Sequence, residues 1–107
     1  MAFMLKPHPT FWAKVEIHKP GFGPDVIEIE FRHMGTSPAM ELVAEVCSSV
    51  SRQRRIEILD QIVVGWRGAD GDFSSVALHE VAESFPAFAL AVIGAYLEEL
   101  GGARRKN

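Results

Sequence analysis

The sequence predicts an α+β fold, an N-terminal antiparallel β-hairpin followed by about four helices packed in one small domain over residues 1–107. Three observations predict it. Two runs near the N-terminus alternate apolar and polar residues. From Thr36 onward the apolar residues recur at helical spacing instead. Glycine, proline and serine punctuate each change of pattern.

The first run, FWAKVEIH at 11–18, sets Phe11, Ala13, Val15 and Ile17 against Trp12, Lys14, Glu16 and His18. The second, DVIEIEFRH at 25–33, sets Ile27, Ile29 and Phe31 against Glu28, Glu30 and Arg32. Period two with β-branched and aromatic residues is the pattern of a strand with one buried face. The Gly/Pro loop KPGFGP joins the two runs into a hairpin over about 11–33, and residues 1–10 are left as a loose N-terminal segment.

Ser37 as cap and Pro38 at the first position open a helix of about 38–50. Its stripe is Ala39, Leu42, Val43, Val46 and Val50. Cys47 is expected to be a packed thiol on this helix. SRQRR reads as a solvated connector, and a second helix of about 54–64 carries Ile58, Leu59, Ile62 and Val63 up to Gly65. Trp66 is then expected to plug the corner formed by 65–73. Ser74 caps the third helix, where Phe73 before the cap and Leu78 at the fourth helical position form a hydrophobic staple. Trp66, Phe73 and Leu78 together are the structural corner. Ser84 and Pro86 start the fourth helix, which runs to Leu100, and 101–107 is a basic, frayed tail containing Arg104, Arg105 and Lys106.

Composition narrows the function. The chain is 48% hydrophobic and 23% charged with a net charge of −3, so no global attraction to nucleic acid is expected. Three basic residues on the tail give weak, salt-sensitive contact at most. A lone cysteine cannot form an internal disulfide, which fits a reducing cytoplasm. Lys6 and two prolines break up any signal-peptide pattern, and no apolar run approaches the roughly 20 residues of a membrane span. No membrane partner is expected.

The motifs that invite chemistry are incomplete. Asp70 and Asp72 have the first spacing of a calcium loop, but Ser75 stands where glycine is required and Val81 where a bidentate glutamate is required. His79, Glu80 and Glu83 lie one residue from a zinc-hydrolase motif that lacks its second histidine, and they also populate the outer side of a helix. No metal, cofactor or catalytic residue is assigned.

The fourth helix, PAFALAVIGAYLEEL, is apolar around nearly its whole circumference. At about 100° per residue, Leu90, Ile93, Tyr96, Leu97 and Leu100 share a face suited to the core. Phe88, Val92 and Ala95 form a separate apolar face, with Ala91 in a strip of small residues between the two. Such a helix implies central burial or a partner. Trp12 on the wet face of the hairpin and Phe22 in its loop add apolar surface. The partner-binding candidates are therefore Phe88, Val92, Ala95, Ala91, Trp12 and Phe22, serving self-assembly into a homo-oligomer or contact with a helical partner.

The order of these features also resembles a known family. A hairpin and helices are followed by IVVGW, a short acidic turn and FS; then come an amphipathic helix ending in FP, an apolar helix with AYLEEL, and the end RRKN. This is similar to the tail assembly chaperones of long-tailed bacteriophages and prophages, over roughly 11–107 and most strongly over 62–107. Family members commonly carry an acid after the Gly-Trp; Arg67 stands there in this chain. The resemblance implies a non-enzymatic protein in the cytoplasm of the bacterial host, binding the tape measure protein before the tail tube polymerises around it. It also implies that a longer form can arise by ribosomal frameshifting, for which Arg105-Lys106-Asn107 permits a slippery codon run. Two other classes fit the same residues less well: a different phage structural part such as a head–tail connector, and a small metal-dependent hydrolase resting on His79, Glu80 and Glu83.

Overall fold

A computed structural model describes residues 3–101. The basic cluster Arg104–Lys106, expected to fray, lies outside the described residues. The elements in chain order are β1 (Thr10–Lys19), β2 (Gly23–Arg32), α1 (Thr36–Cys47), α2 (Arg52–Ile62), β3 (Val63–Arg67), α3 (Ser75–Ser84) and α4 (Phe88–Gly101). The α+β class, the hairpin and the four helices are as the sequence predicts.

β1 and β2 pair from Thr10↔Arg32 to Lys19↔Gly23 without interruption. The predicted alternation is realised. Ala13, Val15, Ile17, Ile29 and Phe31 are buried on one face, while Trp12, Lys14, Glu16 and His18 are exposed on the other. Gly21 and Gly23 take positive φ in the connecting turn, a region open to glycine without strain.

β3 is an element that the sequence reading missed. The second helix stops at Ile62 rather than 64, and Val63 already has extended dihedrals. Two adjacent β-branched residues, Val63 and Val64, favour that switch. β3 adds to β2 antiparallel, giving a three-stranded sheet in the order β1-β2-β3 with a bulge at Glu30/Phe31. Gly65 is therefore more than a helix stop. A Cβ there would sit 3.2 Å from Glu30 Oε1, and Glu30 also accepts from Thr10 Oγ1 at 2.8 Å. The glycine leaves room for a carboxylate lying across the outer face of the sheet.

Three helix starts differ from expectation. α1 is capped by Gly35 without a side-chain bond, not by Ser37, and Pro38 falls in the first turn, where its missing N–H is not needed. Arg52 and Gln53 belong to α2 rather than to a connector, because Ser51 caps that helix by accepting from the Arg54 N–H at 3.1 Å. α4 begins at Phe88, after a Phe85–Pro86 link that bends its axis 113° from α3. Ser74 caps α3 as predicted, accepting from the Ala77 N–H at 3.0 Å.

The core lies between the inner face of the sheet and α2, α3 and α4. Cys47 is exposed, contrary to the expected packed thiol, because it lies about one helical step beyond the stripe that Val46 continues. α4 departs furthest from its reading. Phe88, Val92 and Ala95 are core residues, with Phe88 only 1% exposed, and Leu90, assigned to the core, is 55% exposed. The reason is central burial: β1 covers one side of α4 and α2 covers another. The buried arc runs through Phe88, Val92, Ile93, Ala95 and Tyr96, which spans both predicted faces. Among the described residues no single helix is long and apolar enough to cross a membrane.

Candidate functional site

β3 covers β2 only from Phe31 to Glu28, where Arg67 is the last paired residue. Beyond it the chain turns away at Gly68, whose φ of +89° suits glycine. Among the described residues the distal half of the hairpin thus has no third strand beside it. A cleft of about 510 Å³ opens there, between that half of the hairpin, the 68–72 turn and α3.

The apolar lining comes from three elements. Ile17, Val26 and Ile27 belong to the hairpin; Trp66 belongs to β3; Val81 and Phe85 lie on α3 and its end. Phe88 closes the cleft on its inner side. The rim carries Asp25, Asp70, Asp72 and Glu80 against one lysine, Lys19, a net of three negative charges. Lys19 is held by Asp25 at 2.7 Å, so the other three carboxylates have no ion-pair partner among the described residues.

Trp66 is half-buried, not the fully packed plug expected from sequence, because its ring forms a wall of this cleft. Its indole N–H donates to the Gly71 carbonyl at 2.9 Å and fixes the turn. Phe73 meets it edge to face at 5.2 Å, a favoured aromatic geometry. Leu78 is buried beneath. Of the three corner residues Trp66 alone lines the cleft, with Phe73 packed against its ring.

The hairpin's outer face holds a second feature. Trp12 is 40% exposed, and the Arg67 guanidinium sits 4.0 Å from its ring centroid. Arg67 Nε donates to Glu28 Oε1 at 2.7 Å, and this bond holds the Glu28 carboxyl below its ordinary range. Phe22, at the hairpin tip, is 83% exposed, and Val26 beside the cleft is 54% exposed. Of the predicted partner-binding residues, Trp12 and Phe22 are on the surface, Ala91 is half-buried, and Phe88, Val92 and Ala95 are inside. Val26 and Leu90 are exposed apolar residues outside that set. Val26 had a signal, because it is an apolar residue in the polar phase of an otherwise alternating strand.

The polar clusters have structural roles. His79 Nε2 lies 2.9 and 2.8 Å from the two oxygens of Asp60, and Ser75 Oγ donates to the same carboxylate at 3.4 Å. A serine nucleophile needs the histidine between serine and aspartate. Here the aspartate is central, so the cluster ties α2 to α3. His79 stays on the outer side of α3 with its side chain 43% exposed, and is paired there with Asp60. Glu83 pairs with Arg52 of α2. Among the described residues, no group of three His, Cys, Asp or Glu side chains converges as a metal site.

The two surface features are thus an open apolar cleft with an acidic rim and a partly exposed tryptophan on the outer face of the hairpin. A family model described as phage tail assembly chaperone matches residues 1–107, the whole chain. The chain belongs to the phage tail assembly chaperone family. No curated protein and no solved structure matches it. The role of a tail assembly chaperone is an assembly role rather than a catalytic one.

Proposed function

We propose that the chain binds the tape measure protein in the cytoplasm of the bacterial host, and keeps it from aggregating until tail-tube subunits enclose it. The observation that carries this reading is the cleft with its apolar lining and acidic rim, on a chain of the tail assembly chaperone family. An unassembled tape measure presents long amphipathic helices. A helix with an apolar stripe flanked by lysine or arginine matches both the lining and the rim. The opening is wide, and exposed Val26 forms part of its apolar wall. That geometry supports many modest contacts and ready release, which displacement by the tube requires.

The test is co-expression of the chain with the tape measure protein encoded in the same phage. The reading expects the tape measure to be insoluble alone and soluble in a complex with the chain. An equally insoluble tape measure in both cases would remove it.

A further inference from the structure

We propose that two copies of this chain pair edge to edge through β1, antiparallel about a two-fold axis at Val15, to form a continuous six-stranded sheet. β1 is an outer strand, ten residues long. It carries no proline and no bulge in its pairing with β2, so two of the usual devices that protect an edge are missing.

The backbone parity of the edge is fixed by one bond. The His33 N–H donates to the Pro9 carbonyl at 2.9 Å, and these two residues continue the Thr10↔Arg32 register. Odd-numbered residues of β1 therefore turn their backbone groups toward β2. Thr10, Trp12, Lys14, Glu16 and His18 turn theirs to the free edge.

Side-chain charge then selects the register. A two-fold axis at Val15 sets Lys14 of each copy opposite Glu16 of the other, and it does so twice by symmetry. Both residues belong to the parity that offers free backbone groups, so these are hydrogen-bonded pairs. Moving the axis one residue either way sets Lys14 against Lys14 or Glu16 against Glu16, which is destabilising. Glu16 faces Val26 across β2 and has no ion-pair partner among the described residues; the second copy supplies one.

The surroundings of the axis fit the same arrangement. A groove of about 310 Å³ runs beside the edge, lined by Val15 and Glu16 of β1 and by Leu90, Ala91, Gly94, Ala95 and Glu98 of α4. A Cβ added at Gly94 would meet nothing within 4 Å. The two-fold axis brings the groove of each copy next to the exposed Leu90 of the other. The buried inner row Ala13, Val15 and Ile17 continues across the axis, so the apolar layer of the sheet is not interrupted. This inference stands apart from tape measure binding, because it uses the opposite edge of the sheet from the 68–72 turn.

The experiment measures the mass of the full-length chain in solution over a range of concentrations, with amide hydrogen exchange along β1. A concentration-dependent dimer is expected, with slowed exchange at Trp12, Lys14, Glu16 and His18. Lys14→Glu alone and Glu16→Lys alone should each raise the dimer dissociation constant about ten-fold or more, because each turns two attractive pairs into repulsive ones. The double variant Lys14→Glu/Glu16→Lys should restore it. Both side chains are exposed, and circular dichroism of each variant confirms the fold. A monomer at every concentration overturns the proposal. So does a dimer that is indifferent to the single changes, or one that the double change fails to restore.

Discussion

The Tyr96 hydroxyl donates to the backbone carbonyl of Arg32 at 2.7 Å, joining the middle of α4 to the end of β2. The Tyr96 ring is fully buried between the Phe31 ring at 5.1 Å and the Phe11 ring at 6.0 Å. One residue thus holds the central helix to the sheet through both a polar bond and aromatic packing. Tyr96→Phe keeps the ring and removes the bond. It should lower stability by about 1 kcal/mol, read as a shift of the urea midpoint at constant slope.

The same tyrosine makes stability fall at alkaline pH. Burial pushes its hydroxyl up to about 12 from an ordinary value of 10.0, partly opposed by the charge of Arg32. The unfolded chain ionises first as pH rises. The stabilising contribution is therefore complete below pH 10 and is lost as pH climbs toward 12. Tyr96 is the single tyrosine, so the tyrosinate absorbance reports it alone. The titration should be late in the native protein and ordinary in denaturant, and Tyr96→Phe should remove this part of the alkaline loss.

At acid pH the connection between α1 and α2 should weaken. Arg54 holds both oxygens of Glu45, and the bond keeps the Glu45 carboxyl below its ordinary value of 4.5. A depressed carboxylate contributes stability that is present above the unfolded value and is lost as pH falls through the folded one. Glu45→Gln should flatten the stability profile below about pH 4.5 and reduce its salt dependence. An unchanged acid limb in this variant would show that the pair contributes nothing.

α4 can be tested by two aspartate substitutions. Phe88→Asp places a charge where the side chain is 1% exposed, and should cost about 4 kcal/mol or more, enough to abolish cooperative unfolding in a domain of this size. Leu90→Asp changes a residue that is 55% exposed and, measured on the monomer at low concentration, should stay within about 0.5 kcal/mol. The opposite ranking would mean that α4 turns Leu90 rather than Phe88 into the core.

These contrasts show where the sequence was legible. The hairpin could be read because its inner face is buried and its outer face is wet, and alternation is then the only stable pattern. Ser74 could be read because a cap is a local bond. β3 could not, because five residues after a helix are too few for period two to emerge, and Val63 and Val64 are apolar in either state. The orientation of α4 could not be read for a different reason. A helix covered on several sides has no polar face to give its direction, so the exposed strip at Leu90 follows from tertiary packing alone. The cleft was half legible. The acids of the 68–72 turn and Trp66 stood out, but the part of the hairpin that faces them is set by where β3 stops. Exposed Val26 was the one residue in the strand whose pattern pointed there.

Calorimetric titration of the intact chain with a purified helical segment of the tape measure protein from the same phage decides whether the cleft holds that partner, comparing the unaltered protein with Val26→Glu and Asp72→Lys/Glu80→Lys. These side chains are exposed, so each variant should fold. Saturable binding is expected, weakening about ten-fold or more when the cleft's apolar edge is charged or its acidic rim is reversed. Absence of binding, or binding of equal strength in all three proteins, would contradict tape measure binding at the cleft.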